Sequence, residues 1–198
     1  MKRRSLFLLL GVVMSLVSIR AGAIELRISS KALERTLQAQ LFNGPEGRYY
    51  LKGDAKSACY VYADQASVSF ADDRIVVHVR ISSRLGAGMF GRCVGLGYGT
   101  QADVSFVPDA ENETIGFRDA RIEKFTGNKE LDFLIVPFLS RKLPQQMKVN
   151  AADMLRQLLQ NSQNSTGYAM KLDKLRIHSM QVDKSLLVVN LDGALSVD

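Results

Sequence analysis

The sequence lacks tryptophan and has few of the residues that carry most catalytic and metal chemistry. Its 198 residues include no Trp, two Cys, two His and four Pro. Without Trp, one common anchor of sugar-binding and interface sites is missing. A metal site needs several ligands at suitable spacing, and the two histidines, His78 and His178, belong to no such cluster. We therefore expect no metal site and no cofactor.

No motif for a catalytic nucleophile is present either. A Ser–His–Asp arrangement assembles in space, so the sequence alone leaves it open. However, the chain contains no G-x-S-x-G nucleophile elbow. The acidic pair Asp72 and Asp73 falls in a predicted turn, where Asp favours the backbone geometry. We predict that the protein is not an enzyme and that both histidines are solvated strand residues.

The N-terminal residues have the three parts of a secretory signal peptide. Residues 2–4 are basic, residues 6–19 are apolar, and the chain then reads Ala-Gly-Ala up to Ala23. The apolar stretch is shorter than the roughly 20 residues of a membrane-spanning helix. No cysteine near Ala23 could carry a lipoprotein anchor. We predict a signal peptide over residues 1–23 and a single domain over residues 24–198, periplasmic or secreted and soluble after cleavage near Ala23.

The predicted signal accounts for most of the net positive charge. The chain has 26 Lys and Arg against 20 Asp and Glu, a net charge of +6. Residues 2–4 and Arg20 contribute four cations and residues 1–23 contain no acid, so 22 cations remain against 20 acids, a balance of +2. Nucleic-acid binding would need a clustered basic face, so we expect no nucleic-acid partner.

The two cysteines, Cys59 and Cys93, predict a disulfide bond. They are an even pair in a chain predicted to be exported to an oxidising compartment. A reactive thiol pair is the alternative, but there is no C-x-x-C spacing and no nearby histidine.

Hydrophobic periodicity predicts a helix, an antiparallel meander, a long helical segment and a final hairpin. Residues 31–42 carry Leu at helical spacing, whereas residues 74–81 alternate apolar and polar side chains as a half-buried strand does. Residues 131–143 are strongly apolar and interrupted by Pro137, and residues 151–160 carry apolar residues at helical spacing. The order predicts an α+β fold with helices packed on one face of a sheet.

The glycine-rich segment over residues 86–99 is predicted to be an irregular, flexible loop pinned by Cys93. Its start matches G-x-G-x-x-G, but a dinucleotide site needs a helix immediately after the glycines. The residues that follow are glycine-rich and cannot form that helix. We therefore predict no nucleotide site.

The long helical segment is apolar on almost every side. A helix of this kind is buried in a core or borders an apolar ligand, and periodicity alone favours the core. In the ligand hypothesis, apolar strand and helix residues line a cavity. The predicted lining is Val77, Val79, Ile81, Val104, Phe106, Ile115, Phe117, Leu134, Phe138, Leu155, Leu158, Val189 and Leu191.

The two ends of the predicted domain carry a family resemblance. Residues 24–33 (IELRISSKAL) form a short strand leading into an amphipathic helix, and residues 175–193 (LRIHSMQVDKSLLVVNLDG) form a hairpin. This layout resembles the small periplasmic members of the tubular lipid-binding (TULIP, BPI-like) superfamily, including the YceB-type proteins, a family of unknown function. The resemblance implies a curved antiparallel sheet wrapped around a long helical segment, with an additional N-terminal helix. It also implies a hydrophobic tube for acyl chains and no catalysis. YceB-type proteins carry a lipobox cysteine, which this chain lacks.

Two hypotheses of function follow. In the first, the protein binds or transports a lipid or another apolar ligand in the periplasm and is not an enzyme. In the second, it is an adaptor or assembly factor of the cell envelope that acts through a sheet edge or the glycine-rich segment. The expected partners are a lipid or apolar ligand, with a peripheral membrane contact, an envelope protein or a second copy left open.

The first prediction concerns the signal peptide. Protein recovered from the envelope of an expressing bacterium should begin near Ile24, because the small residues before it fit a signal peptidase. N-terminal sequencing or intact mass measures this. A mature protein beginning at Met1 would contradict the prediction.

Overall fold

The computed structural model describes residues 23–126 and 129–197. The predicted signal peptide therefore lies outside the described residues, except for Ala23, where the first strand begins. Among the described helices, none combines the length and the hydrophobicity needed to cross a membrane.

Within the described residues, nine antiparallel strands, numbered in chain order, form two sheets. The smaller sheet has the order β1-β9-β8, and its strands are β1 (Ala23–Ser29), β8 (Met170–Asp183) and β9 (Leu186–Val197). The larger sheet runs from β2 to β7 in sequence order, with β2 (Tyr49–Lys52), β3 (Tyr60–Ala71), β4 (Arg74–Met89), β5 (Arg92–Glu111), β6 (Thr114–Phe125) and β7 (Val149–Asn150). Register shifts in three of its strand pairs mark bulges, which increase twist and curl the sheet into a half-barrel.

The helices lie between these strands in the chain. They are α1 (Ser30–Gln40), a short 3-10 turn (Pro45–Gly47), α2 (Lys129–Pro137), a π turn (Phe138–Lys142), α3 (Leu143–Gln146), α4 (Ala151–Gln160) and α5 (Ser162–Thr166). Side-chain caps fix the first residues of two helices. Ser29 caps α1 by accepting a hydrogen bond from the N–H of Ala32 at 3.3 Å, and Asn150 caps α4 by accepting one from the N–H of Asp153 at 3.0 Å. The predicted α+β class, curved sheet and N-terminal helix are confirmed.

One hydrophobic core joins both sheets and the helices. Strand β4 shows why: its alternate residues Ile75, Val77, Val79 and Ile81 are at most 2% exposed. They belong to one buried cluster with residues of α2, the π turn, α3 and β9. The period-two pattern therefore places one whole side of the sheet in the core.

The long helical segment predicted from the sequence is not formed as one continuous α-helix. Residues 129–146 divide into α2, the π turn and α3. Pro137 ends α2 because it has no N–H to donate to the preceding turn, and its ring crowds that turn. The chain continues as a π turn, which brings Phe138 and Leu139 into the core.

The prediction of an irregular glycine-rich loop is wrong. Residues 86–89 continue β4, residues 92–99 belong to β5, and only Phe90 and Gly91 form the turn between them. Gly95 explains why a glycine-rich sequence can pair here: a Cβ added to it would lie 1.9 Å from the carbonyl oxygen of Leu85 on the neighbouring strand. The glycines thus permit a close approach of two strands.

The predicted disulfide is confirmed, with Cys59 and Cys93 bonded and their Cα atoms 5.0 Å apart. Cys59 precedes β3 and Cys93 lies on β5, so the bond joins the start of β3 to a strand that is not its neighbour in the sheet. The Sγ atom of Cys59 lies 3.5 Å from the carbonyl oxygen of Gly86, and the Sγ atom of Cys93 lies 3.6 Å from that of Arg84. Such a bond is typical of proteins that fold in an oxidising compartment.

Removing this bond should destabilise the protein. The cysteines are separated by 34 residues, and closing a loop of that length is worth about 3–4 kcal/mol in the chain-entropy model. In urea denaturation, the free energy of unfolding of the double variant Cys59→Ser, Cys93→Ser should be lower than that of the unchanged protein by most of this amount. A loss below about 1 kcal/mol would show that this loop is constrained equally well without the bond.

Candidate functional site

A groove lies between the edge strand β2 and helix α2 with the π turn that follows it. Its volume is about 270 Å³. Its walls are mostly aromatic and aliphatic, with one cation. The lining residues are Tyr49, Tyr50, Leu51, Phe133, Leu134, Pro137, Phe138 and Lys142.

The two walls are joined by an aromatic stack. The rings of Tyr49 and Phe138 have centroids 5.2 Å apart and planes inclined by 16°. Tyr49 and Leu51 on β2 are both partly buried against the core. Phe138 is buried at the start of the π turn, so the break at Pro137 sets its position.

The groove has an apolar rim and one positive charge. Phe133 on α2 is 67% exposed, a large apolar side chain that the fold leaves uncovered. Lys142, at the end of the π turn, places Nζ 5.1 Å from the centroid of the Tyr49 ring. This contact holds an ammonium group beside an apolar surface. The groove can therefore contact both an apolar chain and an anionic group attached to it.

The structure places most of the predicted cavity residues in the packed core. The residues that are at most 7% exposed and share one cluster are Val77, Val79, Ile81, Val104, Phe106, Ile115, Phe117, Phe138, Val189 and Leu191. Leu134 and Phe138 also line the groove. Leu155 is partly buried against the core, whereas Leu158 on the same helix is 72% exposed.

Several groove residues were not predicted from the sequence. Tyr49 and Leu51 lie on a strand of only four residues, too short for a clear alternation. Lys142 follows an apolar run, but its sequence position does not reveal the tyrosine beside it. The exposed Phe133 belongs to a stretch in which nearly every residue is apolar, so periodicity could not distinguish it from its buried neighbours.

The outer face of the large sheet carries a Ser–His–Asp chain of hydrogen bonds. His78 lies 2.8 Å from the Ser69 hydroxyl through Nε2 and 2.8 Å from the Asp103 carboxylate through Nδ1. The three residues come from neighbouring strands, and the His78 side chain is 41% exposed. Neither the groove nor the polar surface depression beside Arg80 and Lys124 includes any of the three.

A bidentate ion pair lies on the same face. Arg80 donates from Nε and a terminal nitrogen to the two oxygens of Asp64, at 2.8 and 2.7 Å. The Asp64 hydrogen bonds raise the pKa of Arg80 above its usual range. Asp64 is only 4% exposed, so its burial depends on this cation. Across residues 23–126 and 129–197, no three His, Cys, Asp or Glu side chains are grouped to hold a metal ion.

No protein-family model and no curated protein matches the chain. A crystal structure of a lipopolysaccharide binding protein is similar to it, with 14% sequence identity and a TM-score of 0.31. The match covers 89% of this chain and 51% of that one, so this chain spans about half of that protein's length. At this TM-score the likeness supports no inference about function. The YceB-type assignment suggested by the resemblance has no support from a family model.

Proposed function

We propose that the protein binds an amphiphile with an apolar chain and an anionic head group, such as a fatty acid or a phospholipid, and that the groove between β2 and α2 is the binding site. The observation that carries the proposal is an aromatic and aliphatic groove whose lining includes one cation, Lys142. Ligand sites are typically concave and apolar with a few placed polar groups. A fatty acid or phospholipid has the complementary chemistry.

The size of the groove indicates how much of such a ligand it can hold. Its volume of about 270 Å³ is slightly below the range of about 300–1,000 Å³ typical of drug-sized ligands. The groove therefore accommodates part of one acyl chain. The exposed ring of Phe133 would cover that chain and lose contact with water on binding.

The proposal includes no catalytic step. Ser69 and His78 have the spacing of a nucleophile and its base, but hydrolysis also needs donors aimed at an oxyanion. Ser69 lies within β3, opposite Val76 of β4, and has no sharp strand-to-helix turn to expose its backbone N–H groups. We assign the Ser69, His78 and Asp103 chain to cross-strand stabilisation of the sheet.

We further propose that the protein acts in the periplasm or outside the cell, as a TULIP-like binding protein. The disulfide and the signal-like N-terminus support that location. The curved antiparallel sheet with helices on its inner face supports the TULIP-like fold.

A role as an envelope adaptor is the second candidate. It is favoured by β2, a strand of four residues at the edge of the larger sheet. Native mass spectrometry of gently purified protein separates the two functions. A co-purifying amphiphile supports the first, whereas a stoichiometric protein partner on a ligand-free chain supports the second.

The groove proposal predicts that Phe133→Ser weakens binding of cis-parinaric acid, a fluorescent fatty acid. The affinity should fall about five- to tenfold, because the variant loses roughly 1 kcal/mol of apolar burial in the complex. A fluorescence titration measures this. Phe133 is largely exposed without ligand, so the free energy of unfolding should change little.

Two further variants make the titration specific to the groove. Met154→Ser removes a 52% exposed apolar side chain from α4 and should bind like the unchanged protein. Lys142→Gln should weaken binding of the fatty acid more than binding of the matching fatty alcohol. Equal binding by Phe133→Ser and the unchanged protein would refute the groove as the site.

The absence of a catalytic step gives a separate prediction. The protein should not react with a fluorophosphonate probe, and Ser69→Ala should lose about 1 kcal/mol of stability through the hydrogen bond to His78. Gel detection of the probe and urea denaturation measure the two effects. Labelling that disappears in Ser69→Ala would instead identify a serine hydrolase.

A further inference from the structure

The end of the β4–β5 hairpin is an exposed apolar surface. Phe90 in the turn is 98% exposed, Met89 is 51% exposed, and Val94 and Leu96 are 61% and 60% exposed. The register pairs Leu85 with Leu96, so these side chains continue the inner face of the sheet. Beyond Leu85, that face is no longer covered. An apolar surface of this extent on one projecting element typically marks an interaction site.

The charged side chains on the two hairpin strands near the turn are all positive. Residues 74–102 contain four Arg and no Asp or Glu. Two of these, Arg84 and Arg92, are exposed and lie on the hairpin itself. The turns at the opposite end of the same strands carry Asp72, Asp73 and Glu111. The hairpin end of these strands is therefore apolar and basic, whereas the turns at the opposite end carry acids, of which Glu111 pairs with Lys148 at 3.7 Å.

The hairpin is held in a fixed position. Cys93, two residues after the turn, is bonded to Cys59 before the start of β3. Gly86 and Gly95 let its two strands approach so closely that side chains would clash with the opposite backbone. A loop that served only as a connection would not need this support. The fold thus presents Phe90 on a supported element at the far end of the sheet.

We propose that the hairpin from Leu85 to Leu96 docks the protein on an anionic lipid membrane, with Met89 and Phe90 entering the interfacial layer. Aromatic and long apolar side chains gain free energy there. Arg84 and Arg92 lie beside anionic head groups, and the acidic turns point away from the surface. This site is separate from the groove and does not depend on a ligand there.

The absence of Trp from the chain permits a direct test. Phe90→Trp adds one fluorophore at the turn, and Tyr168→Trp adds one at an exposed aromatic position elsewhere. With vesicles of phosphatidylglycerol and phosphatidylethanolamine, emission from Phe90→Trp should move to shorter wavelength, and emission from Tyr168→Trp should not. Vesicles of phosphatidylcholine should produce a much smaller change. No wavelength change for Phe90→Trp on the anionic vesicles would overturn the proposal.

Vesicle flotation of the whole protein measures how strongly it partitions onto the anionic vesicles. Phe90→Ser should lower partitioning about ten- to a hundredfold, the factor for losing burial of one Phe side chain. The pair Arg84→Gln, Arg92→Gln should lower it about fivefold per charge and reduce its dependence on salt. Phe133→Ser, the groove variant, should float like the unchanged protein. Loss of flotation in that variant alone, with Phe90→Ser unaffected, would overturn the hairpin as the docking element.

Sedimentation without lipid tests whether a second copy of the chain, instead of a membrane, binds the surface around Phe90. The hairpin proposal predicts a monomer at micromolar concentration for both the unchanged protein and Phe90→Ser. A dimer that Phe90→Ser converts to monomer would assign the surface to a second copy and overturn the membrane contact. Phe90 has almost no protein contact, so Phe90→Ser should keep the free energy of unfolding and show that any loss of binding is local.

Discussion

The apolar inner face of the six-stranded sheet must be buried, and the rest of the structure depends on how much of that face the helices and the smaller sheet bury. Alternation in β3 to β6 produces the apolar face, and the buried residues of α2, the π turn, α3, β8 and β9 complete the core beneath it. Strands β4 and β5 are longer than this cover. Where the cover ends, the same alternation continues and its apolar side chains are exposed, which produces the surface around Phe90.

The second incompletely covered place is the edge beside β2. Pro137 interrupts the helical segment, and the π turn then directs Phe138 inward, against Tyr49. The two walls of the groove, β2 on one side and α2 with the π turn on the other, are in contact where Tyr49 stacks on Phe138. The groove lies between the remaining parts of these walls. In a continuous α-helix, the angle about the helix axis between the side chains of Phe133 and Phe138 would differ from the one found here. The break at one proline thus determines the shape of the candidate site.

The sequence predicts most of the fold because its elements have strong local patterns. The alternation in β4, the helical spacing over residues 151–160 and the cysteine pair all predict what is found. The glycine-rich hairpin was missed because glycine normally breaks a strand, whereas here it removes a clash between two strands. The groove was missed because its two walls come from residues 49–51 and 133–142, which share no pattern. Periodicity reports which face of an element is apolar, but not which part of that face stays uncovered.

The register relates the groove to the hairpin. Lys52 of β2 lies opposite Val61 of β3, and Val61 lies opposite Ser83 of β4. The hairpin begins at Leu85, two residues beyond Ser83, or about 7 Å along the strand. The groove therefore lies beside the middle of β4, and Phe90 is seven residues beyond Ser83, or about 23 Å along the strand. A protein docked through Phe90 would hold the groove away from the bilayer surface, separated from it by the length of the hairpin. Membrane contact and ligand binding thus use different residues and different parts of the same sheet.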